Sequence, residues 1–251
     1  MTNYNKNFAK LYSMELADYP ANVAGKILNY FESVHTSCDR TLLDLCCGTG
    51  NLARFFLERG YDVTGIDASA DMLEHALNLC RDFVDKGRAR FICADVRHFI
   101  CDRKFALITS TSDSINHLKD YGEMEKCFSL TFNSLAEGGL FIFDMITKLG
   151  LERWNSISVS DADEMTVIKR GVSGTLGNLA YNKITAFMKT EGGLYEKAEI
   201  LLEYFIFGME RVRQILENTG FKSVKFVKIK DFSIEITNPE EQRRIFIIAR
   251  K

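Results

Sequence analysis

A chain of 251 residues with 46% apolar and 26% charged side chains describes a soluble globular protein large enough to bury a full core in one domain. Its formal net charge of -2 gives no general attraction to nucleic acid or anionic membrane, so neither is expected as a partner. No apolar run approaches the roughly 18 residues that span a bilayer, Met1 to Asn7 hold no signal-like stretch, and the seven cysteines are odd in number and lack zinc-type spacing; a cytoplasmic protein with reduced thiols and no metal is expected.

Residues 4–35 carry helical spacing in Phe8, Leu11, Tyr12 and Leu16, then in Val23, Ile27, Leu28 and Phe31 after a break at Pro20. Leu42, Leu43 and Leu45 form a short apolar strand. Cys46 to Asn51 is a glycine-rich turn and Leu52 to Glu58 opens a helix, which ends at Gly60. A second strand stops at Asp67, and Ser69 caps a helix through Met72, Leu73, Ala76, Leu77 and Leu79. Arg90 to Ala94 makes a third strand, leading to Asp95. A fourth, Phe105 to Ser110, runs into the polar turn Thr111-Ser112-Asp113-Ser114-Ile115-Asn116-His117-Leu118 ahead of a helix from about Tyr121 to Leu135. Gly138-Gly139 turns the chain into a fifth strand that closes at Asp144-Met145.

The pattern then changes. Alternating segments at 164–170, 179–189 and 194–207 flank Glu191-Gly192-Gly193, a hairpin signal, and predict an inserted antiparallel sheet. A last helix over Met209 to Asn218 stops at Gly220. Val224 to Ile229 and Arg244 to Arg250 read as strands six and seven, joined through Asn238-Pro239.

The first glycine turn decides between two cofactor classes. Gly48-Thr49-Gly50-Asn51-Leu52-Ala53 satisfies the dinucleotide pattern G-x-G-x-x-G/A, with Asp67 near the distance of a ribose-binding acid. A pyrophosphate beside this turn would meet the carboxylate of Asp44, and like charges in close approach are unfavourable. S-adenosylmethionine carries an ammonium, a sulfonium and no phosphate, so an acid at Asp44 suits it. A nicotinamide-dependent oxidoreductase is the weaker alternative; a non-catalytic module that binds S-adenosylmethionine is another.

Asp44-Leu45-Cys46-Cys47-Gly48-Thr49-Gly50 resembles motif I of the class I, Rossmann-like S-adenosylmethionine-dependent methyltransferases, with Cys46 where the family often has Gly or Ala. Val63 to Ser69, Ala94-Asp95-Val96, Phe105 to Ser110 and Leu135 to Asp144 resemble the segments that follow in order. The resemblance implies an α/β fold: a seven-stranded sheet in the order 3-2-1-4-5-7-6, strand 7 antiparallel, with helices on both faces. A single domain over 1–251 would then comprise an N-terminal helical lid (1–37), a cofactor-binding core (38–148), the inserted antiparallel sheet (149–207) and the last helix with the terminal strand pair (208–251).

The resemblance also assigns roles. Asp44, Cys46, Gly48, Thr49 and Gly50 would hold the methionine part of the cofactor, Asp67 the ribose, and Asp95, Val96 and Met72 the adenine, with Ala68 also counted among the cofactor-binding residues. Tyr4 and Tyr12 would lie against the methionine end or the substrate, and Ser112 joins the cofactor-binding set. The turn after strand four resembles an Asp-Ser-hydrophobic-Asn sequence of small-molecule methyltransferases, which makes Asp113, Asn116 and His117 candidates to orient or deprotonate a nucleophile. Tyr12 joins Asp113 and His117 as a candidate catalytic residue. The implied reaction is methyl transfer to nitrogen or oxygen of a small-molecule acceptor, by a monomer or homodimer. Trp154, Tyr181 and Tyr204 are candidate aromatic walls for that acceptor.

Overall fold

The computed structural model describes residues 9, 11–12, 18–35, 38–173 and 177–251. Tyr4, Phe8 and Leu16 lie outside the described residues. Helix α1 (Asp18–Val34) precedes β1 (Thr41–Leu45), α2 (Asn51–Leu57), β2 (Asp62–Asp67), α3 (Ala70–Leu79), the short α4 (Arg81–Val84) and β3 (Ala89–Cys93). There follow β4 (Phe105–Ser110), a 3-10 turn (Ser114–His117), α5 (Tyr121–Ser134), β5 (Leu135–Ile146) and α6 (Lys148–Glu152). Pro20 does not break a helix as expected. It sits in the first turn of α1, where a missing N–H costs no intrahelical bond.

The large sheet runs β11-β10-β12-β5-β4-β1-β2-β3, with β10 (Ser223–Lys228), β11 (Asp231–Glu235) and β12 (Arg244–Arg250) after the last helix, α7 (Met209–Thr219). β1 to β5 are parallel, whereas β12 pairs antiparallel with both β5 and β10. The expected order is present with one addition. β10 turns back into β11, an edge strand that the alternation in Asp231–Glu235 did not announce because only Phe232 in it is buried.

Alternation along the strands divides the core. Leu42, Leu107, Ile142, Phe246 and Ile248 face α1 and α2 with Val23, Ile27, Phe31, Leu52 and Phe56. Leu43, Leu45, Ile108, Phe141, Phe143 and Ile247 face α5 and α7 with Phe128, Val212 and Ile215. Every carboxyl end of the parallel strands therefore opens on the same edge, where ligands collect in such sheets.

Over that edge stands a second, antiparallel sheet in the order β6-β7-β8-β9, with β6 (Ile157–Ala162), β7 (Met165–Ser173), β8 (Leu179–Lys189) and β9 (Tyr195–Phe205). β6 is exposed throughout, so its side chains carry no half-buried alternation to mark it in the sequence. The inner face of this sheet packs with Ala9, Leu11, Met72, Ile146 and Leu151.

Asn116 ties it down. Fully buried, its side-chain Nδ2 donates to the carbonyls of Ile146 (3.0 Å) and Phe205 (3.1 Å), and its Oδ1 accepts from Ile146 N–H at 2.9 Å. All of these bonds go to the backbone, so Asn116 is spent on structure and does not orient a nucleophile as expected. Nor do Asp113 or Asn116 cap α5: Asp120 does, accepting from Glu123 N–H at 2.8 Å.

Candidate active site

Two adjoining cavities lie between the sheets. The first, of about 330 Å³, is lined by Tyr12, Cys46, Gly48, Asp67, Ala68, Met72, Asp95, Val96, Ser112 and His117, among others. The second, of about 280 Å³, is lined by Tyr12, Tyr19, Ser112, Asp113, His117, Trp154, Lys169, Asn182, Ile184, Leu202, Tyr204 and Arg244. Tyr12, Ser112, His117 and Leu202 border both. The two spaces meet at those four side chains.

The floor of the first cavity is the turn between β1 and α2. Gly50, before α2, has φ 83°, and a Cβ there would stand 2.9 Å from Ala76 Cβ on α3, so only glycine lets the two helices approach. Gly48 has φ 55°, and a Cβ on it would meet Met72 Cε at 3.3 Å on the cavity wall. Cys46 takes the same left-handed conformation (φ 56°), as do Ser112 (φ 64°) and Asp113 (φ 54°) at the corner after β4. Three non-glycine residues in this sparsely populated region, all facing the two cavities, mark strain retained at one place.

Asp67 ends β2 with both carboxylate oxygens engaged: Gly48 N–H donates to Oδ2 and Ser69 N–H to Oδ1, each at 2.9 Å. Burial raises its pKa, and these N–H groups oppose the rise. Asp95 is gripped by Arg97, whose backbone N–H and Nε both donate to Oδ1 at 2.8 Å. Those bonds hold its carboxyl below the usual range. Arg97 also bonds Glu123, so a charged bracket borders this end of the cavity. Nothing in the sequence marked Arg97 beyond its position two residues after Asp95.

Asp44, Thr49 and Gly50 were expected against the ligand and do not line the cavity. The Asp44 carboxylate is 2% exposed and accepts from Thr109 Oγ1 at 2.8 Å, because β1 points this residue into the sheet beside β4. Burial pushes its pKa up to about 7. Thr49 Oγ1 accepts from Asn51 Nδ2 at 2.8 Å and Gly50 serves helix packing. Asp44 therefore stands behind the wall, buried, with its carboxylate contributing charge.

That charge is felt at Tyr12. Burial raises the Tyr12 phenol to about 12, and the carboxylates of Asp113, Asp67 and Asp44 add to the rise, while a 3.3 Å hydrogen bond with Ser112 Oγ lowers it. The junction of the cavities is thus an acidic place with a neutral phenol at its centre.

Around the second cavity the chain builds an ionic cluster. Arg244 Nη2 lies 2.7 Å from Asp113 Oδ1 and Arg244 Nη1 2.5 Å from Asp144 Oδ2; Tyr19 Oη donates to Asp144 Oδ2 at 3.0 Å. The guanidinium also lies over the Tyr19 ring at 4.7 Å. Arg244 and Tyr19 went unmarked in the sequence, since each pairs with residues distant along the chain. His117 Nδ1 is 2.6 Å from the Glu203 carbonyl, and burial lowers its pKa. Its ring packs on Tyr204, which meets Trp154 edge-on at 4.6 Å. Tyr181 is on the opposite face of the inserted sheet and outside both cavities. Among the described residues no group of His, Cys, Asp or Glu is arranged to hold a metal ion.

Residues 42–139 match the model of a methyltransferase domain. A protein of Bacillus subtilis (strain 168), YqeM, provisionally named a methyltransferase, is 28% identical over 84% of this chain and 83% of its own. The dTDP-3-amino-3,4,6-trideoxy-alpha-D-glucopyranose N,N-dimethyltransferase of Streptomyces venezuelae is 29% identical over 55% of this chain and 56% of its own. Among solved structures, a S-adenosylmethionine-dependent methyltransferase from Clostridium acetobutylicum ATCC 824 shares the fold with a TM-score of 0.80 and 24% identity, covering 97% of both chains. The sugar N-methyltransferase KedS8 from Streptoalloteichus sp ATCC 53650 does so with a TM-score of 0.77 and 18% identity, over 96% of this chain and 92% of that one.

Proposed function

We propose, for a chain that is a class I, Rossmann-like S-adenosylmethionine-dependent methyltransferase, that the first cavity holds the cofactor, the second a small-molecule acceptor with a nucleophilic amine or hydroxyl, and that transfer occurs where they meet. The single observation behind this reading is the junction itself: two cavities sharing Tyr12, Ser112, His117 and Leu202, in the field of three carboxylates.

The lining suits the cofactor. Gly48 leaves room beside Met72, Asp67 presents a carboxylate for ribose hydroxyls, and the acidic surroundings favour a ligand with an ammonium and a sulfonium. Asp95, Val96 and Met72 would take the adenine; Cys46, Gly48, Ala68, Ser112 and Tyr12 would border the rest. When bound, S-adenosylmethionine supplies a methyl group already activated for transfer.

The protein's own task is alignment, which can lower a barrier by roughly 7–11 kcal/mol. His117 is suited to take the acceptor's proton: its Nδ1 faces a carbonyl and so carries hydrogen, which makes Nε2 the basic nitrogen. Tyr12 stays protonated at ordinary pH and orients by hydrogen bonding. Asp113, held by Arg244, fixes negative charge beside the acceptor and favours an amine approaching as a cation. Seven free cysteines, three of them buried, accord with a cytoplasmic location.

Calorimetry with S-adenosylhomocysteine, followed by a turnover screen over aminosugars, amines and phenols, tests the assignment. Binding plus turnover of an amine or hydroxyl acceptor is expected. Absence of heat from folded protein would refute the cofactor site, and binding without turnover on any acceptor would favour a sensing module.

A further inference from the structure

The face that the inserted sheet turns toward the cavities is apolar by design of its alternation: Val167, Ala186, Ile184, Ile200, Leu202 and Tyr204 are all buried on it. Ser173 breaks the pattern at the far end of β7, outside the cavities, and two polar positions break it where the face lines the second cavity. Register pairs Lys169 with Ile184, and Asn182 with Gly171 and Leu202, so both side chains belong to this same inner face, and both line the second cavity. Among the described residues Lys169 has no carboxylate within 4.0 Å. Its neighbour across the cavity, Arg244, is already paired with Asp113 and Asp144. Among the described residues the buried Asn182 Oδ1 has no hydrogen-bond partner. An orphaned buried amide oxygen costs free energy unless something else satisfies it, and the half-buried Lys169 places a cation on the neighbouring strand of the same face.

We infer that Lys169 and Asn182 form a recognition point for an anionic oxygen group on the acceptor, a carboxylate or a phosphate, with an adjacent hydroxyl or N–H that donates to Asn182 Oδ1. This rests on the second cavity being the acceptor site. It adds that the acceptor is bipolar: its nucleophile sits by Asp113 and His117, and its anion lies against the inserted sheet. Charge would then orient the molecule end to end. Lys169 and Asn182 act on which acceptor binds and which way round, and take no part in the cofactor site.

The test uses protein saturated with S-adenosylhomocysteine and titrates three probes of one size class: glucosamine, glucosamine 6-phosphate and 2-amino-2-deoxyglucuronate. At least one anionic probe is expected to bind tenfold or more tightly than glucosamine, and whichever does so identifies phosphate or carboxylate as the group. Lys169→Met is expected to erase that preference and Lys169→Arg to keep most of it. Asn182→Leu should weaken the anionic probe several-fold, and all three variants should bind S-adenosylhomocysteine as the wild type does. The inference is overturned if no anionic probe outbinds glucosamine, or if Lys169→Met retains the preference. Loss of S-adenosylhomocysteine binding in the wild type would instead overturn the cofactor assignment, so the two failures are separable.

Discussion

Arg244 and Asp113 lie 2.7 Å apart, one opening the last strand and the other in a left-handed corner after the fourth. Their contact brings the terminal strand of the large sheet to the wall of the second cavity. The same guanidinium neutralises Asp144, which is wholly buried at the heart of the sheet.

Removing that guanidinium should be costly. Arg244→Met leaves two carboxylates in a poorly solvated place, and breaking a buried pair in this way costs about 3–5 kcal/mol. A melting temperature lower by roughly 10 °C is expected. Adding Asp144→Asn should recover part of the loss, because it removes one of the stranded charges. Thermal melts of the single and double variants check this.

Asp44 gives a pH signature. Its carboxyl ionises near 3.8 when unperturbed and only at about 7 in the folded chain, so between those values the folded state holds the proton more tightly. Stability from this residue is therefore fully present below about pH 4 and lost as pH rises through 7, at up to about 1.4 kcal/mol per pH unit. Asp44→Asn should flatten this contribution in urea melts taken from pH 4.5 to 7.5. A cation in the first cavity favours the ionised form, so affinity for S-adenosylmethionine should climb with pH across the same window in the wild type and not in Asp44→Asn.

Asp67→Ala removes an acceptor that also holds the turn at Gly48. Loss of a charged hydrogen bond of about 1.5–3 kcal/mol corresponds to roughly 10- to 100-fold weaker S-adenosylhomocysteine binding. Asp67→Asn should fall between the two, since it retains one acceptor. Unchanged affinity in Asp67→Ala would remove this residue from the cofactor site.

As the proposed base, His117 should set an acid limb. With its pKa lowered by burial, the imidazole is neutral at physiological pH, and kcat should drop only below about pH 6.5. His117→Gln should lower kcat at neutral pH by roughly 10²-fold and abolish that limb, with little change in S-adenosylhomocysteine affinity. A pH–rate profile of both proteins decides the matter.

The order of the large sheet could be read from the chain because its strands are short apolar runs ended by signals that local chemistry requires: Gly48 and Gly50 after β1, Asp67 at the end of β2, Asp95 after β3. Strand β6 and strand β11 could not, because an exposed edge strand is held by its backbone and leaves no trace of burial in its side chains. The placement of Asp44 shows a second limit. The sequence puts an acid at the end of β1, but which way that residue points depends on β4 offering Thr109 beside it. Arg244 and Tyr19 lie further still from inference, since each acquires its meaning only when strands distant in sequence are laid side by side. Lys169 and Asn182 did carry a signal: in strands that alternate, a polar residue at an inward position is an exception worth explaining.

Asn116 joins the point where the chain leaves the large sheet, at Ile146, to the point where it comes back, at Phe205. One amide thus closes the neck of the whole excursion, so that what lies beyond it can be rewritten without disturbing the floor on which it stands. The cassette above the neck supplies Trp154, Lys169, Asn182, Ile184, Leu202 and Tyr204 to the second cavity, so that wall can diverge while the lower chamber keeps its chemistry.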